Sequence, residues 1–307
     1  MFDKTDPRSK LLSKTDVNIP PNDISNVKHV KFYEEESIKT SLGTESWWSR
    51  GQNFYLHYSE AVEGEVFDRT NQVDEYVIIL PEFKTEAMIK WEDQELNVKG
   101  NSIIIVPKGQ SQLKVETSGK VIRLFTVLNS DLKDLPINRE YTIADANVLP
   151  FKAWNESPEG SKIRVYSLDI EKEEGRFGKI FRCSTFMINF LDPWEGPRDT
   201  TKLSPHSHVD FEQCTLALKG DFVHHFRWPW TPNKDKWQVD QHDFCSSPSS
   251  TYIPPGVIHT SEAVGKRTNE LVDIFCPPRL DFSEQPGWVL NDADYPVDNA
   301  QVTKDKE

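Results

Sequence analysis

Short runs rich in Val, Ile, Phe, Tyr and Thr follow one another along this chain. Examples are EYVIILPE, EAMIKWE, SIIIVPKG, VIRLFTVL, KIFRCSTFMINFL, EQCTLALKGDFVHHFRW, STYIPPGVIH and ELVDIFC. Branched and aromatic side chains favour extended backbone, and the Gly, Pro, Asn and Asp residues between the runs break it every few residues. Helical periodicity over long stretches is scarce. The expected class is all-β, as antiparallel sandwiches or barrels.

A length of 307 residues holds two cores at roughly 150 residues per domain. Strand-like runs give way to polar and turn residues between about 133 and 160, which places a seam near 145. Residues 1–27 are polar, with Pro7, Pro20 and Pro21, and read as an arm that wraps a partner subunit. The expected division is a 1–27 arm, a first barrel over 28–145, a second over 146–290 and a polar tail over 291–307.

The charge balance narrows the partners. With 49 acidic against 36 basic side chains, the net charge of -13 repels a nucleic-acid backbone and an anionic membrane surface. No apolar run nears the roughly 20 residues that cross a bilayer, and the start, MFDKTDPRSKLLSKTD, lacks a secretory apolar stretch. A cytoplasmic protein with a small-molecule substrate is expected. Cys183, Cys214, Cys245 and Cys276 form no C-x-x-C pair and are expected as reduced, mostly buried thiols.

The sharpest chemical signal is Pro205-His206-Ser207-His208-Val209-Asp210-Phe211-Glu212. On a strand, 206, 208 and 212 share parity and converge on one point inside a barrel. Imidazole nitrogens with a carboxylate oxygen suit a divalent first-row metal, whereas Mg or Ca wants more oxygen. A fourth ligand is expected at His259, after the Pro254-Pro255-Gly256 turn, which can aim an imidazole back inward.

These residues resemble the cupin superfamily, whose first motif is H-x-H-x(3,4)-E followed by a strand and a Gly, and whose second is P-x-G-x-x-H. The chain offers His206-x-His208-x3-Glu212, then Gly220, then Pro254-x-Gly256-x-x-His259. It departs at Pro248-Ser249, where the family has Gly-Asp, and at Ala263, where it has Asn. Those positions shape turns. The resemblance extends to the first half: Glu75-Tyr76-Val77-Ile78-Ile79-Leu80 matches the strand that begins at the motif glutamate. The stretch from Lys99 to Gly109 matches the Gly-Asp strand and its turn. The histidine positions there read Arg69, Asn71 and Gln112. The resemblance therefore implies a bicupin, two tandem jelly-roll (double-stranded β-helix) barrels, of which the first lacks metal ligands and the second holds one metal, Fe(II) foremost and Mn, Ni, Zn or Co as alternatives.

Three His and one Glu leave two positions open on an octahedral ion. The leading expectation is an Fe(II)-dependent dioxygenase cleaving a chelating hydroxy-aromatic, enol or diketone substrate. The family also implies a metal-dependent isomerase, decarboxylase or lyase acting on a sugar or a hydroxy or keto acid, and a non-catalytic ligand-binding barrel. His224 and His225 are candidate acid-base groups, and Arg227 and Arg182 candidate carboxylate clamps. Trp228, Trp230 and Trp237 would wall an aromatic pocket, or equally serve core packing or a dimer interface. Cys214 shares the parity of Glu212, but with no neighbouring base it reads as a packing residue rather than a nucleophile, while Trp47 and Trp48 read as a core or interdomain plug. A homodimer or higher oligomer is expected from the family.

Overall fold

The computed structural model describes residues 22–142 and 144–297. The expected arm up to position 21 and the expected tail from position 298 lie outside them.

Each half pairs a seven-stranded sheet with a smaller one. In the first half the large sheet runs, side by side, Arg164–Ser167, Ser102–Val106, Tyr76–Leu80, Gly119–Thr126, Phe54–Ala61, Glu45–Arg50 and Ile38–Lys39. Opposite lies a four-stranded sheet of Val66–Gln72, Gly109–Thr117, Glu86–Trp91 and Gln94–Lys99. In the second half Lys28–Lys31, Ser249–Ile253, Gln213–Lys219, Thr268–Phe275, Met187–Phe190 and Lys179–Arg182 lie in that order, with Trp194–Glu195 attached to Thr268–Phe275. Its small sheet is Gln241–Ser246, Asp221–Arg227 and Ile258–Ala263. This is the expected all-β class, a pair of jelly rolls.

The burial of the strands explains how the halves meet. Glu86–Trp91 and Asp221–Arg227 alternate between buried and accessible, as strands with one wet face must. Tyr76–Leu80 and Ser102–Val106 are buried at every position, because both their faces are covered. Leu56, Val77, Ile79, Ile103, Ile122 and Leu124 face Phe181, Ile188, Leu216, Tyr252, Val272 and Ile274 in one core shared by the two halves. Fully burying such a side chain stabilises by roughly 1.5–3 kcal/mol, so the barrels stand back to back on apolar contact. The opposite faces of the same strands, with Ile78, Ile104 and Phe125, line the first barrel.

Trp47 belongs to the shared core and Trp48 to the first barrel. Cys214 is also in the shared core, as the packing residue it was expected to be. All four cysteines are buried and free.

The chain crosses the expected seam twice. Lys28–Lys31 pairs with Ser249–Ile253 in the second barrel, and Arg164–Ser167 pairs with Ser102–Val106 in the first. Sequence composition marks the linker near 145, but which open sheet edge a strand joins is decided by backbone hydrogen bonding between distant segments. Ile24 and Val27, of the expected arm, pack on Phe226, Trp228, Ile253 and Val257 of the second barrel.

Candidate metal centre

The second motif folds as a turn clipped to the first. The Gly256 amide donates to the His208 carbonyl at 2.7 Å, and Gly256 has φ +85°, a conformation glycine adopts without strain. His206 and His259 then form a two-way backbone bridge, 3.1 and 2.7 Å, which sets their ring centroids 4.3 Å apart. One ligand atom from each of His206, His208 and His259 lies within 4.8 Å of the others.

The rings are oriented as ligands should be. His206 Nδ1 lies 3.0 Å from the Ser204 carbonyl, and His259 Nδ1 lies 2.9 Å from that of Val257. A carbonyl only accepts, so each Nδ1 carries the proton and each Nε2 keeps its lone pair. Two such imidazoles beside a third are a donor set that fits a divalent first-row ion.

The expected carboxylate does not join them. Glu212 is buried, but it accepts from the Tyr141 hydroxyl and, at 2.8 Å, from the Gln52 amide. A side chain on Gly51 would collide with it. Parity failed because it needs continuous extended backbone: the strand begins only at Gln213, and the chain bends at Val209 and Asp210. Burial raises the Glu212 carboxyl to about 7 against the hydrogen bonds from Tyr141 and Gln52. Gln213 instead faces the histidines, its Oε1 2.8 Å from His208 Nε2. The Gln213 amide nitrogen donates to Thr215 and Asp273, at 2.9 and 3.1 Å, which fixes the direction of the oxygen. The motif's tolerance of three or four intervening residues admits Gln213 as readily as Glu212, so the signal was present.

The inner wall continues along the small sheet. His224 is buried, with Nδ1 2.8 Å from Ser261 Oγ, and burial pushes its pKa down to about 3. His29, from the exchanged amino-terminal strand, contacts Thr251 at 2.9 Å and Asp243 at 3.1 Å. Its distance in sequence hid it. Phe211 stacks on His208 with centroids 4.4 Å apart.

His225 and Arg227 sit at the alternate positions and take the outer face. His225 contacts His242 and Glu262 at 2.7 and 2.9 Å, while exposed Arg227 pairs with Asp240. Neither joins the histidine cluster, since neighbours of the inward His224 must point outward. Arg182 is buried against the Tyr295 carbonyl and Trp154. Trp228 is buried and donates to the Ser25 carbonyl at 3.1 Å. Trp230 and Trp237 stack with centroids 4.3 Å apart on the surface.

In the first barrel, Arg69 is buried and ion-paired to Asp131 at 2.7 Å, and Gln112 donates to Asp68 at 2.9 Å. Glu75 accepts from Ser184 and, at 2.8 Å, from Tyr295, tying the halves together.

The chain has the cupin fold, as two tandem jelly-roll barrels with a histidine triad in the second. Oxalate decarboxylase from Bacillus subtilis is similar over 96% of this chain and 90% of its own, at 12% identity and a TM-score of 0.55. AerE from Microcystis aeruginosa is similar over 79% and 97%, at 11% identity and a TM-score of 0.53. A cupin 2 conserved barrel domain protein from Leptotrichia buccalis covers 84% and 99%, at 10% identity and a TM-score of 0.46. At such identities the likeness is one of fold. No family model matches the sequence, and no curated protein does. Among the described residues no helix is long and apolar enough to cross a membrane.

Proposed function

We propose that the second barrel is a mononuclear metal enzyme that cleaves a small anionic chelating substrate with dioxygen, using Fe(II). The observation that carries this reading is the neutrality of the donors: His206, His208 and His259 converge, Gln213 accepts from His208 Nε2 and so orients that ring, and Glu212 is turned away. With only neutral donors, a divalent ion keeps its charge and favours an enolate, phenolate or carboxylate substrate as counter-ion. When bound, the ion supplies Lewis acidity and, as iron, a redox partner for oxygen.

The chain's own residues do the rest. Nδ1 protons held on the Ser204 and Val257 carbonyls keep two rings aimed inward. Phe211 and Phe275, packed around His208, exclude water from one side. His224 stays neutral at working pH and, paired with the Ser261 hydroxyl, can hydrogen-bond a substrate oxygen on that wall.

That pair is what favours a second reading, a redox-neutral decarboxylase or isomerase, and the Bacillus subtilis neighbour of like fold is an oxalate decarboxylase. Metal content and oxygen uptake distinguish the two. Protein purified without a histidine tag is measured by mass spectrometry, then offered catechol, gentisate-like and diketone substrates in an oxygen electrode, and oxalate anaerobically. About one iron per chain with uptake supports the first reading. Carbon dioxide release without oxygen moves the assignment to the second, and no bound metal removes both.

A further inference from the structure

The first barrel buries a cation that has no direct ion pair among the described residues. Arg123, on Gly119–Thr126, is 7% exposed. Its polar partner is His57, whose Nδ1 accepts from Nε at 3.3 Å and from Nη2 at 3.2 Å. His57 is itself buried, and burial together with the Arg123 charge holds its pKa well below the usual histidine value. It therefore accepts as a neutral ring and returns no negative charge. Among the described residues no carboxylate lies within ion-pair distance of Arg123. The other walls are aromatic: the guanidinium carbon stands 4.4 Å from the centre of Phe67, 5.4 Å from Phe125 and 5.9 Å from Trp48.

Arg69 is a contrasting case on the same ring. Its guanidinium carbon is 5.0 Å from the centre of Phe125, yet it has Asp131, Gln72 and Asn129 as partners. Tyr76 stacks on Phe125 at 5.1 Å and shares a 2.9 Å hydrogen bond with Ser111. Thus two guanidinium groups and a stacked tyrosine surround one ring, that of Phe125, and only one of the two cations has an ion-pair partner. Burying a lone cation costs several kcal/mol. Rings and a neutral imidazole recover part of this, and a bound anion recovers the rest.

We propose that Arg123 anchors a second ligand site, in the first barrel, for a small carboxylate. A carboxylate is planar and meets a guanidinium fork with two parallel hydrogen bonds, a match that a tetrahedral or spherical anion lacks. The site is independent of the histidine cluster and of any reaction there.

The test uses the full-length chain carrying His206→Ala and His259→Ala, so that no anion can bind through a metal. Malonate, acetate, benzoate, phosphate and chloride are titrated by calorimetry, and again after adding Arg123→Lys or Arg123→Gln. Saturable binding of a carboxylate at one per chain is expected, weakened at least about tenfold by the lysine, which keeps charge but loses the fork, and lost with the glutamine. In uniformly 15N-labelled protein, an arginine Nε–H resonance should shift along the same isotherm, a readout that leaves Arg123 intact should its variants not fold. No saturable binding and no shifting resonance would overturn the site. Equal affinity in a folded Arg123→Gln protein would overturn the residue, and tighter binding of phosphate would overturn the carboxylate class.

Discussion

The two barrels share an architecture and differ in what they enclose. The second turns His206, His208, His259, His224 and His29 inward with Gln213, Thr215, Ser261 and Asp273 among them. The first encloses Trp48, Phe67, Tyr76 and Phe125 around the guanidinium groups of Arg69 and Arg123. An imidazole at neutral pH offers a lone pair, whereas a guanidinium stays protonated and repels a cation. The same sheet geometry thus presents a cation-binding interior in one half and an anion-binding one in the other. Chemistry follows the inward side chains, not the fold.

The largest break of that comparison would come from the metal. His259→Ala should lower metal affinity by about 1,000-fold, with metal content falling from about one per chain to near none, while Arg123→Gln leaves it unchanged. Mass spectrometry of both proteins checks this, and metal retained in the histidine variant contradicts the assignment of the centre.

Glu212 tests where the second barrel's chemistry stops. Its folded value of about 7 lies above the ordinary 4.5, so the native state is favoured while the carboxyl is protonated. This contribution is full below about 4.5 and lost as pH rises through 7. Glu212→Gln keeps both hydrogen-bond partners and removes the loss, which should stabilise the protein at pH 8 on the order of 3 kcal/mol in denaturant unfolding without reducing metal content. Gln213→Ala should weaken metal binding about tenfold and also cost stability, about 1–3 kcal/mol, because buried Thr215 and Asp273 lose a hydrogen-bond partner.

A matched pair probes the two interiors by acid. His57 in the first barrel and His224 in the second are both held neutral by burial, His224 at about 3. Their folded values lie below 6.5, so their stabilisation is present above that pH and drains as pH falls, by up to about 1.4 kcal/mol per unit for each. His57→Gln and His224→Gln should each reduce the slope of stability between pH 6.5 and 5. A slope reduced by one alone would mean that the other histidine is protonated in the native state. The smallest effect is expected outside both barrels: Arg227→Ala should leave the denaturant midpoint and the activity at wild-type values, because its partner Asp240 is a surface one.

What could be read from sequence was whatever depends on neighbours along the chain. Short strands, the Pro-Gly turn and the His-x-His spacing are local, and they led to the all-β class and to His206, His208 and His259. Glu212 misled because parity was carried through a bend, and Gln213, one residue on, held the inward place. His29 and Arg123 reach their sites through pairings between segments hundreds or dozens of residues apart, such as Lys28–Lys31 with Ser249–Ile253 and Gly119–Thr126 with Phe54–Ala61. No short-range pattern encodes such partners.

The exchanged strands also bear on synthesis. Residues 28–31 leave the ribosome early, yet their place beside 249–253 exists only once most of the chain has emerged, and closing so long a loop is slow. The early segment must wait unpaired, and the second barrel is finished by a strand made before the rest of that barrel. A gene divided at the apparent seam near 145 would accordingly yield two fragments that each lack a strand held by the other, and they would fold as a complemented pair rather than as two independent proteins.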